Sequence, residues 1–152
     1  MDVERLLEEI KTKLSDVLVE SKIDRPRYAS IKVKPEGMVK AATLLKENGF
    51  NHPLSVSGVD YPDRGEVEVV YHVSCLDSKS LVALKTALPR GQPSMPSLRE
   101  IWRGVHFHER ETWEMLGVKF EGHPELKRFL LQEDWEEGVY PLRKEFKLKP
   151  ES

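Results

Sequence analysis

Two strand-like stretches joined by a four-residue turn restrict the fold of this chain more than any other feature. Along residues 66–76 apolar and polar side chains alternate, which is typical of a strand with one buried face. The apolar face consists of Val67, Val69, Tyr71, Val73 and Cys75. Residues 54–61 form the preceding strand, and the turn Pro62-Asp63-Arg64-Gly65 combines a fixed φ, a local Asp hydrogen bond and a Gly free to take φ > 0. Two connected strands with one apolar face need a second layer to cover them.

Two amphipathic helices are predicted to supply that layer. Apolar residues recur every three or four positions in the first segment, and Pro35 lies where a second helix accepts proline, in its first turn. The apolar positions are Val3, Leu6, Leu7, Ile10, Leu14, Val17 and Leu18 in the first helix, and Met38, Ala41, Ala42 and Leu45 in the second. Residues 28–34 alternate as a half-buried strand, and a further strand or strand–helix piece covers 80–88. The pattern predicts an α+β fold, a two-layer sandwich of α-β-β-α-β type order.

Charge and composition exclude several classes of protein. The 152 residues include 24 basic and 26 acidic ones and form no basic stripe, so we expect no nucleic-acid partner. No apolar run approaches the roughly 20 residues of a membrane span, and no signal-peptide pattern opens the chain, which favours a cytosolic protein. Charged residues make up 33% of the chain against a usual value of about 25%. The excess is mostly Glu and Lys, which favours a thermophilic source.

The single cysteine limits redox and metal chemistry. One cysteine, Cys75, cannot form an internal disulfide, and it excludes a Cys-ligated iron–sulfur cluster or structural zinc site. Cys75 also lies on the apolar face of its strand. We therefore expect a small core residue there rather than a nucleophile.

The proline-rich segment 89–97 divides the chain into two parts. Residues 1–96 are predicted to form a compact α+β domain, and residues 97–152 a docking helix and an extended C-terminal arm within the same single unit. Ser97 is a suitable N-cap for a helix from Leu98 to about Leu116, with a break at Gly104.

Glu109 has the most unusual position of the acidic residues. On a helical wheel it lies within an apolar stripe made of Trp102, Val105, Thr112, Trp113 and Leu116. A carboxylate held against apolar surface must be paired, because an unpaired buried charge costs several kcal/mol. Two interpretations remain open. One is a structural ion-pair network in which Arg110 and Glu114 are at salt-bridge spacing, and the other is general acid–base catalysis by Glu109.

The histidines beside this stripe do not favour a metal site. His106 and His108 are two residues apart, so on a helix their side chains point in different directions. The paired-His zinc helix needs i, i+4 spacing, and position 110 is Arg. We therefore predict no metal ligands in this chain.

Beyond Gly117 the chain has many large apolar side chains and little periodicity. They are Phe120, Phe129, Leu130, Leu131, Trp135, Tyr140, Leu142, Phe146 and Leu148. This composition is typical of an arm laid over a partner or over its own domain. Within the arm, His123 lies in a Gly-His-Pro turn, and Arg143 lies between apolar residues in a segment suited to bidentate carboxylate capture.

Taken together, these motifs resemble the thirty-kilodalton subunit family of respiratory complex I (NADH:quinone oxidoreductase), which related membrane-bound hydrogenases share. The resemblance covers nearly the whole chain and depends on order and spacing. Its motifs are Val59-Asp60-Tyr61-Pro62, Val69-Val70-Tyr71, Pro96-Ser97, Glu109-Arg110-Glu111, Met115-Leu116-Gly117, Phe120-Glu121-Gly122-His123-Pro124, Lys127-Arg128 and Pro141-Leu142-Arg143-Lys144. The family usually has Asp where this chain has Glu114 and Glu145, and His where it has Tyr140.

The resemblance implies a scaffold subunit in the soluble arm of an ion-translocating oxidoreductase. Such a subunit binds no cofactor itself and clamps the large catalytic subunit near its quinone or nickel–iron site. It lies near the small subunit that carries an iron–sulfur cluster. It would be attached to the cytoplasmic side of the cell membrane through these partners.

The family motifs also predict a partner interface on the docking helix and the arm. Its residues are Glu109, Arg110, Glu111, Trp113, Glu114, Phe120, Gly122, His123, Pro124, Lys127, Arg128, Pro141, Leu142, Arg143 and Lys144. Two other functions remain as alternatives. One is a free-standing enzyme with Glu109 and His123 as acid and base, and the other is an unrelated adaptor that binds a peptide.

Overall fold

The computed structural model describes residues 3–127 and 139–145. Within these ranges the helices are α1 (Val3–Lys13), α2 (Met38–Glu47) and α3 (His106–Leu116). The strands are β1 (Leu18–Arg25), β2 (Tyr28–Val33), β3 (His52–Tyr61), β4 (Glu66–Cys75), β5 (Ser80–Pro89), β6 (Ser94–Pro96) and β7 (Lys119–Glu121). No helix in the described part of the chain is long and apolar enough to span a membrane.

The main sheet has five strands in the order β1-β2-β5-β4-β3. Its β2–β5 pair is parallel, and its other neighbours are antiparallel. The predicted turn between β3 and β4 is confirmed, with Tyr61 paired to Glu66 and Gly65 in the left-handed region at φ 66°. Glycine, which has no Cβ, adopts that φ at lower cost than other residues, which explains its place at the end of the turn.

The helices cover one face of this sheet, which confirms the predicted two-layer α+β architecture. The inward side chains of the sheet and of all three helices belong to one hydrophobic core, with Tyr71, Phe50 and Leu6 among its fully buried members. The opposite face is polar in its centre, where Lys32 and Glu68 form an ion pair of 3.3 Å. A core on one side and polar groups on the other is the usual arrangement of an antiparallel sheet in an α+β protein.

The structure corrects the predicted end of the first helix. We expected α1 to continue to Leu18, but it ends at Lys13, and the chain then forms the edge strand β1. Most side chains of β1 are exposed, and Glu20, Lys22 and Asp24 interrupt any apolar alternation. Charged residues on an edge strand protect it from unwanted pairing, and they also remove the pattern by which a strand is found in sequence.

The predicted start of the third helix was also wrong. We placed it at Leu98, whereas α3 begins at His106 after a short 3₁₀ turn at Arg103–Val105. The intervening residues are held by specific hydrogen bonds instead. The indole Nε1 of Trp102 donates to the carbonyl of Phe50 at 2.9 Å, and the amide of Leu98 donates to the side chain of Glu109.

The beginning of the arm folds onto its own chain. Strand β7 pairs in parallel with β6, and Phe120 is buried in the common core. The arm was predicted to lie over a partner or over its own domain, and its described residues lie over its own domain. The other large apolar residues of the arm, from Phe129 to Trp135 and at Phe146 and Leu148, lie outside the described residues.

Candidate functional site

The carboxylate of Glu109 is fully buried and accepts three hydrogen bonds. Tyr71 Oη donates to Oε2 at 2.6 Å, Ser97 Oγ donates to Oε1 at 2.5 Å, and the Leu98 amide donates to Oε2 at 2.9 Å. These donors come from β4 and from the loop that precedes α3. The apolar stripe correctly predicted that Glu109 needs partners. The expectation of an ion-pair network was wrong for this residue, because its partners are neutral donors.

Tyr71 is kept as a hydrogen-bond donor by its surroundings. Burial raises the pKa of the Tyr71 phenol well above its usual range, and the negative charge of Glu109 raises it further. The ring of Tyr71 lies 6.5 Å from the ring of Trp102. The hydrogen bonds to the Glu109 carboxylate therefore lie next to the aromatic side chains of the core. The pair of Tyr71 and Glu109 fixes α3 against strands β3 and β4 at one side of the sheet.

The structure does not bring Glu109 and His123 together as an acid–base pair. Glu109 faces Tyr71 in the core, while His123 Nε2 bonds the carbonyl of His106 at 2.8 Å at the start of α3. A side chain that is completely buried cannot exchange protons with a substrate in solution unless the fold opens. The arrangement around Glu109 therefore supports structure rather than catalysis.

The corner formed by residues 122–127 is tied to α3 by several polar contacts. The rings of His106 and His123 lie against each other with their centroids 4.5 Å apart and their planes tilted by 33°. Arg110 Nε donates to the carbonyl of Lys127 at 2.7 Å, and its guanidinium lies 3.9 Å from Glu125. Gly122 turns the chain at φ 86°. The side chain of Arg110 is thus directed at the chain's own corner.

A second polar cluster holds the later part of the arm. Asp60, which is buried at the end of β3, receives both Arg90 Nε at 2.6 Å and Arg90 Nη2 at 2.8 Å. The backbone amide of Lys144 donates to the same carboxylate at 2.8 Å, and Glu145 forms an ion pair with Arg90. The Arg90 hydrogen bonds hold the pKa of Asp60 below its usual range. We call Asp60, Arg90 and residues 143–145 the arm latch.

Arg143 has a different role from the one expected. We predicted that it captures a carboxylate in two hydrogen bonds, but its Nε donates to the carbonyl of Leu116 at 2.6 Å and its Nη1 to that of Arg90 at 3.2 Å. Bidentate carboxylate capture is performed by Arg90 on Asp60 instead. Arg143 satisfies carbonyls at the C-terminus of α3 and in the loop after β5, which fastens the arm to both.

An exposed strip of mostly apolar side chains runs along the outer side of α3. Phe107, Glu111 and Met115 recur every four residues on that side, and Phe107 is 54% exposed. The backbone amide of Leu142 donates to the carbonyl of Met115 at 2.9 Å, which brings Leu142, 59% exposed, to the end of the row. We call these four residues the docking strip.

The predicted interface residues separate into buried and accessible groups. Glu109, Arg110, Glu114 and Phe120 are buried, so contacts of their side chains lie within this chain. Accessible or partly accessible residues are Glu111, Trp113, Gly122, His123, Pro124, Lys127, Pro141, Leu142, Arg143 and Lys144. Arg128 lies outside the described residues. Among residues 3–127 and 139–145, no three His, Cys, Asp or Glu side chains converge as a metal site.

We did not predict from the sequence that Asp60, Arg90, Tyr71 and Ser97 are polar partners of these segments. One signal was available for Asp60. It occupies the same face of β3 as Val56 and Gly58, opposite Val67, so a carboxylate stood at a core position. Its partner lies 30 residues away in a loop. Such a pairing depends on tertiary structure and has no local pattern.

Comparison with known proteins places the chain near one group of respiratory proteins. The sequence profile described as "Respiratory-chain NADH dehydrogenase, 30 Kd subunit" matches residues 31–152. A subunit of the F(420)H(2) dehydrogenase of Methanosarcina mazei is 36% identical, with 96% of this chain and 92% of that protein covered. A subunit of the NADH-quinone oxidoreductase of Roseiflexus sp. is 39% identical, with 99% and 87% covered.

Solved structures give the same result for the fold. A chain of the membrane-bound sulfane sulfur reductase, an archaeal respiratory membrane complex, superposes with a TM-score of 0.85 at 28% identity, covering 95% of this chain and 85% of that one. A trypsin-resistant fragment of Nqo5 superposes with a TM-score of 0.71 at 26% identity, covering 83% of this chain and all of the fragment.

Replacing Glu109 tests whether its buried hydrogen bonds stabilise the fold. Glu109→Gln keeps the size of the side chain but leaves at least one of the three donors with a poor acceptor. We expect a loss of about 2 kcal/mol or more in the free energy of unfolding, measured by urea denaturation. Glu111→Gln is the matched control on the same helix, and it should change that free energy by less than about 0.5 kcal/mol. Equal effects of the two substitutions would contradict the assigned role of Glu109.

Replacing Asp60 tests the arm latch. Asp60→Asn removes the charge that holds Arg90 and the Lys144 amide, so trypsin should cleave after Arg143 and Lys144 several-fold faster, as followed by mass spectrometry. Asp63→Asn, in the exposed turn beside it, serves as the control and should leave the cleavage rate unchanged. Since folding lowers the pKa of Asp60, its stabilising effect should be present above about pH 4 and lost as the pH falls further. Unaltered cleavage in Asp60→Asn would argue against a latch.

Proposed function

Because the chain belongs to the family of the 30 kDa subunit of respiratory-chain NADH dehydrogenase, we propose that it is a non-catalytic scaffold that clamps the large catalytic subunit of its complex. The family membership makes it a subunit of a complex I-like respiratory complex. We further propose that α3 and the arm contact the large subunit near its quinone or nickel–iron site.

The docking strip is the observation that carries this proposal. One third of the chain's residues are charged, yet Phe107 and Leu142 lie more than half exposed on one side of α3, with the partly exposed Met115 between them. Exposed apolar side chains grouped in this way are typical of protein–protein contacts. The strip is also rigid, because Glu109 fixes α3 and Arg143 fixes the arm. A pre-organised surface loses less entropy on binding than a flexible one.

Glu111 gives the strip a polar centre. It lies between Phe107 and Met115, and its carboxylate makes no hydrogen bond or ion pair within residues 3–127 and 139–145. A carboxylate that becomes covered at an interface must find a hydrogen-bond donor or a cation there. We therefore expect the large subunit to present a basic or amide side chain among apolar ones at this position.

Electron transfer is assigned to the partners in this proposal. The chain has one cysteine, Cys75, which is buried at the end of β4, so thiolate ligation of a cluster has no basis in this sequence. Iron–sulfur clusters would be held by the small subunit, and quinone or a nickel–iron centre by the large one. Attachment to the cytoplasmic side of the membrane would be indirect, through these subunits.

The docking strip can be tested in the assembled complex. Phe107→Asp and Leu142→Asp place a charge in the proposed apolar contact, and each should cost about 2 kcal/mol of binding, roughly thirty-fold in affinity. The measurement is the amount of large subunit that co-purifies from solubilised membranes with a tagged copy of this chain. Leu76→Asp, at a residue 71% exposed in the turn after β4, is the matched control and should co-purify normally.

The thermal unfolding of each isolated variant separates loss of binding from loss of folding. The strip variants should unfold within a few degrees of the natural chain, since their side chains are exposed. Normal co-purification of both strip variants would overturn the proposed interface. Arg143→Glu is a less direct test, because Arg143 bonds the chain's own carbonyls and its loss should detach the arm as well.

A further inference from the structure

The corner at residues 122–127 is held on α3 by two histidines whose hydrogen bonds define their protonation. His123 Nδ1 accepts the backbone amide of Glu125 at 3.0 Å, and His123 Nε2 faces the carbonyl of His106 at 2.8 Å. A carbonyl is only an acceptor, so Nε2 must carry the proton and donate it. The Nδ1 atom then has its lone pair directed at the Glu125 amide. Both contacts together require the neutral ring with its proton on Nε2.

His106 is held in an equivalent way on the other side of the ring pair. Its Nδ1 accepts Arg99 Nε–H at 2.7 Å, because a guanidinium is only a donor. The proton of the neutral ring is therefore on Nε2, which lies 3.5 Å from Glu125 Oε1. The side chain of His106 is mostly buried. Protonation of Nδ1 in either histidine would direct one N–H at another and break the hydrogen bond that Nδ1 accepts.

The surrounding charges also disfavour protonation. Burial lowers the pKa of His106, and the charges of His123, Arg99 and Arg110 lower it further, while the charge of Glu125 acts in the opposite direction. Arg99 comes from the loop before α3, Arg110 from α3 itself, and His123 and Glu125 from the corner. Two imidazolium rings with centroids 4.5 Å apart, near the guanidiniums of Arg99 and Arg110, would repel each other. The half-exposed Glu125 can balance only one of these charges.

We propose that His106 and His123 form an acid-sensitive clasp, which holds the corner at residues 122–127 on α3 when both rings are neutral and releases it when they are protonated. This device goes beyond the proposed function, and its test does not depend on the partner assigned above. Release would also disturb the adjacent docking strip, because the ring of Phe107 meets the ring of His106 edge-on at 4.9 Å.

The direction of the pH effect follows from proton linkage. An imidazole free of these contacts has a pKa of about 6.5, whereas in the closed corner burial and the hydrogen bond from Arg99 favour the neutral form of His106. The open state therefore binds more protons below about pH 6.5, and acid shifts the equilibrium toward it. The clasp is fully closed above that pH and weakens as the pH falls.

Hydrogen exchange in the full-length chain tests the clasp locally. The amides of Glu125 and Lys127, which donate to His123 Nδ1 and to the Glu125 carbonyl, report closure of the corner. Their protection factors, corrected for the intrinsic pH dependence of exchange, should fall several-fold between pH 7.5 and pH 5.0. Amides in the centre of β4 should keep their protection.

A double variant removes the titration while keeping the hydrogen-bonding groups. His106→Gln with His123→Asn retains an acceptor and a donor at each position, so the protection of Glu125 and Lys127 should no longer depend on pH. His108→Gln, a histidine on the same helix outside the ring pair, is the matched control and should keep the full pH response. A natural chain with no pH response, or a double variant that responds equally, would overturn the proposal.

If the double variant opens the corner at every pH, imidazole NMR of the natural chain tests the clasp instead. In the natural chain at pH 7.5, ¹⁵N spectra should show both His106 and His123 as neutral rings protonated on Nε2. Protonation of the His106 ring should coincide with the loss of protection at Glu125. Rings that are protonated at Nδ1 at pH 7.5, or that titrate without any change at the corner, would refute the clasp.

Discussion

The buried carboxylate of Glu109 is the contact on which the position of α3 depends. It collects donors from the sheet and from the loop before the helix, so three segments distant in sequence meet at one pair of oxygens. A buried acceptor of this kind is costly unless every lone pair is used, and this makes the arrangement specific as well as stable. Since α3 carries the docking strip and receives the arm, the geometry of the proposed interface is determined by this anchor.

Much of the fold could be predicted from the sequence where the pattern is local. The alternation of β4, the turn at Gly65 and the apolar spacing of α1 and α2 depend on neighbouring residues, and the structure confirms them. Strand β1 and the start of α3 could not be found in this way. Half of the side chains of β1 are charged and most are exposed, and residues 98–105 are ordered by contacts with Phe50 and Glu109 instead of by helix formation.

The sequence identified several residues of the site, but it did not identify the residues that they contact. The sequence showed that Glu109 needs partners, but the partners are Tyr71 and Ser97, which no spacing rule connects to it. Arg143 was expected to bind a carboxylate and instead fastens the arm to carbonyls of its own chain, while Arg90 binds Asp60. These pairings join residues 12 to 53 positions apart, and in such cases the three-dimensional fold decides which donor meets which acceptor.

In this structure α3, the loop before it and the arm are anchored within the chain itself, which requires no bound partner. Hydrogen exchange at the Leu98 amide in the isolated full-length chain tests this most directly, because that amide donates to Glu109. We expect the Leu98 amide to exchange slowly, at a rate comparable to that of amides in the centre of the sheet. Exchange at the rate of an unstructured peptide, with protection appearing only in the assembled complex, would contradict it.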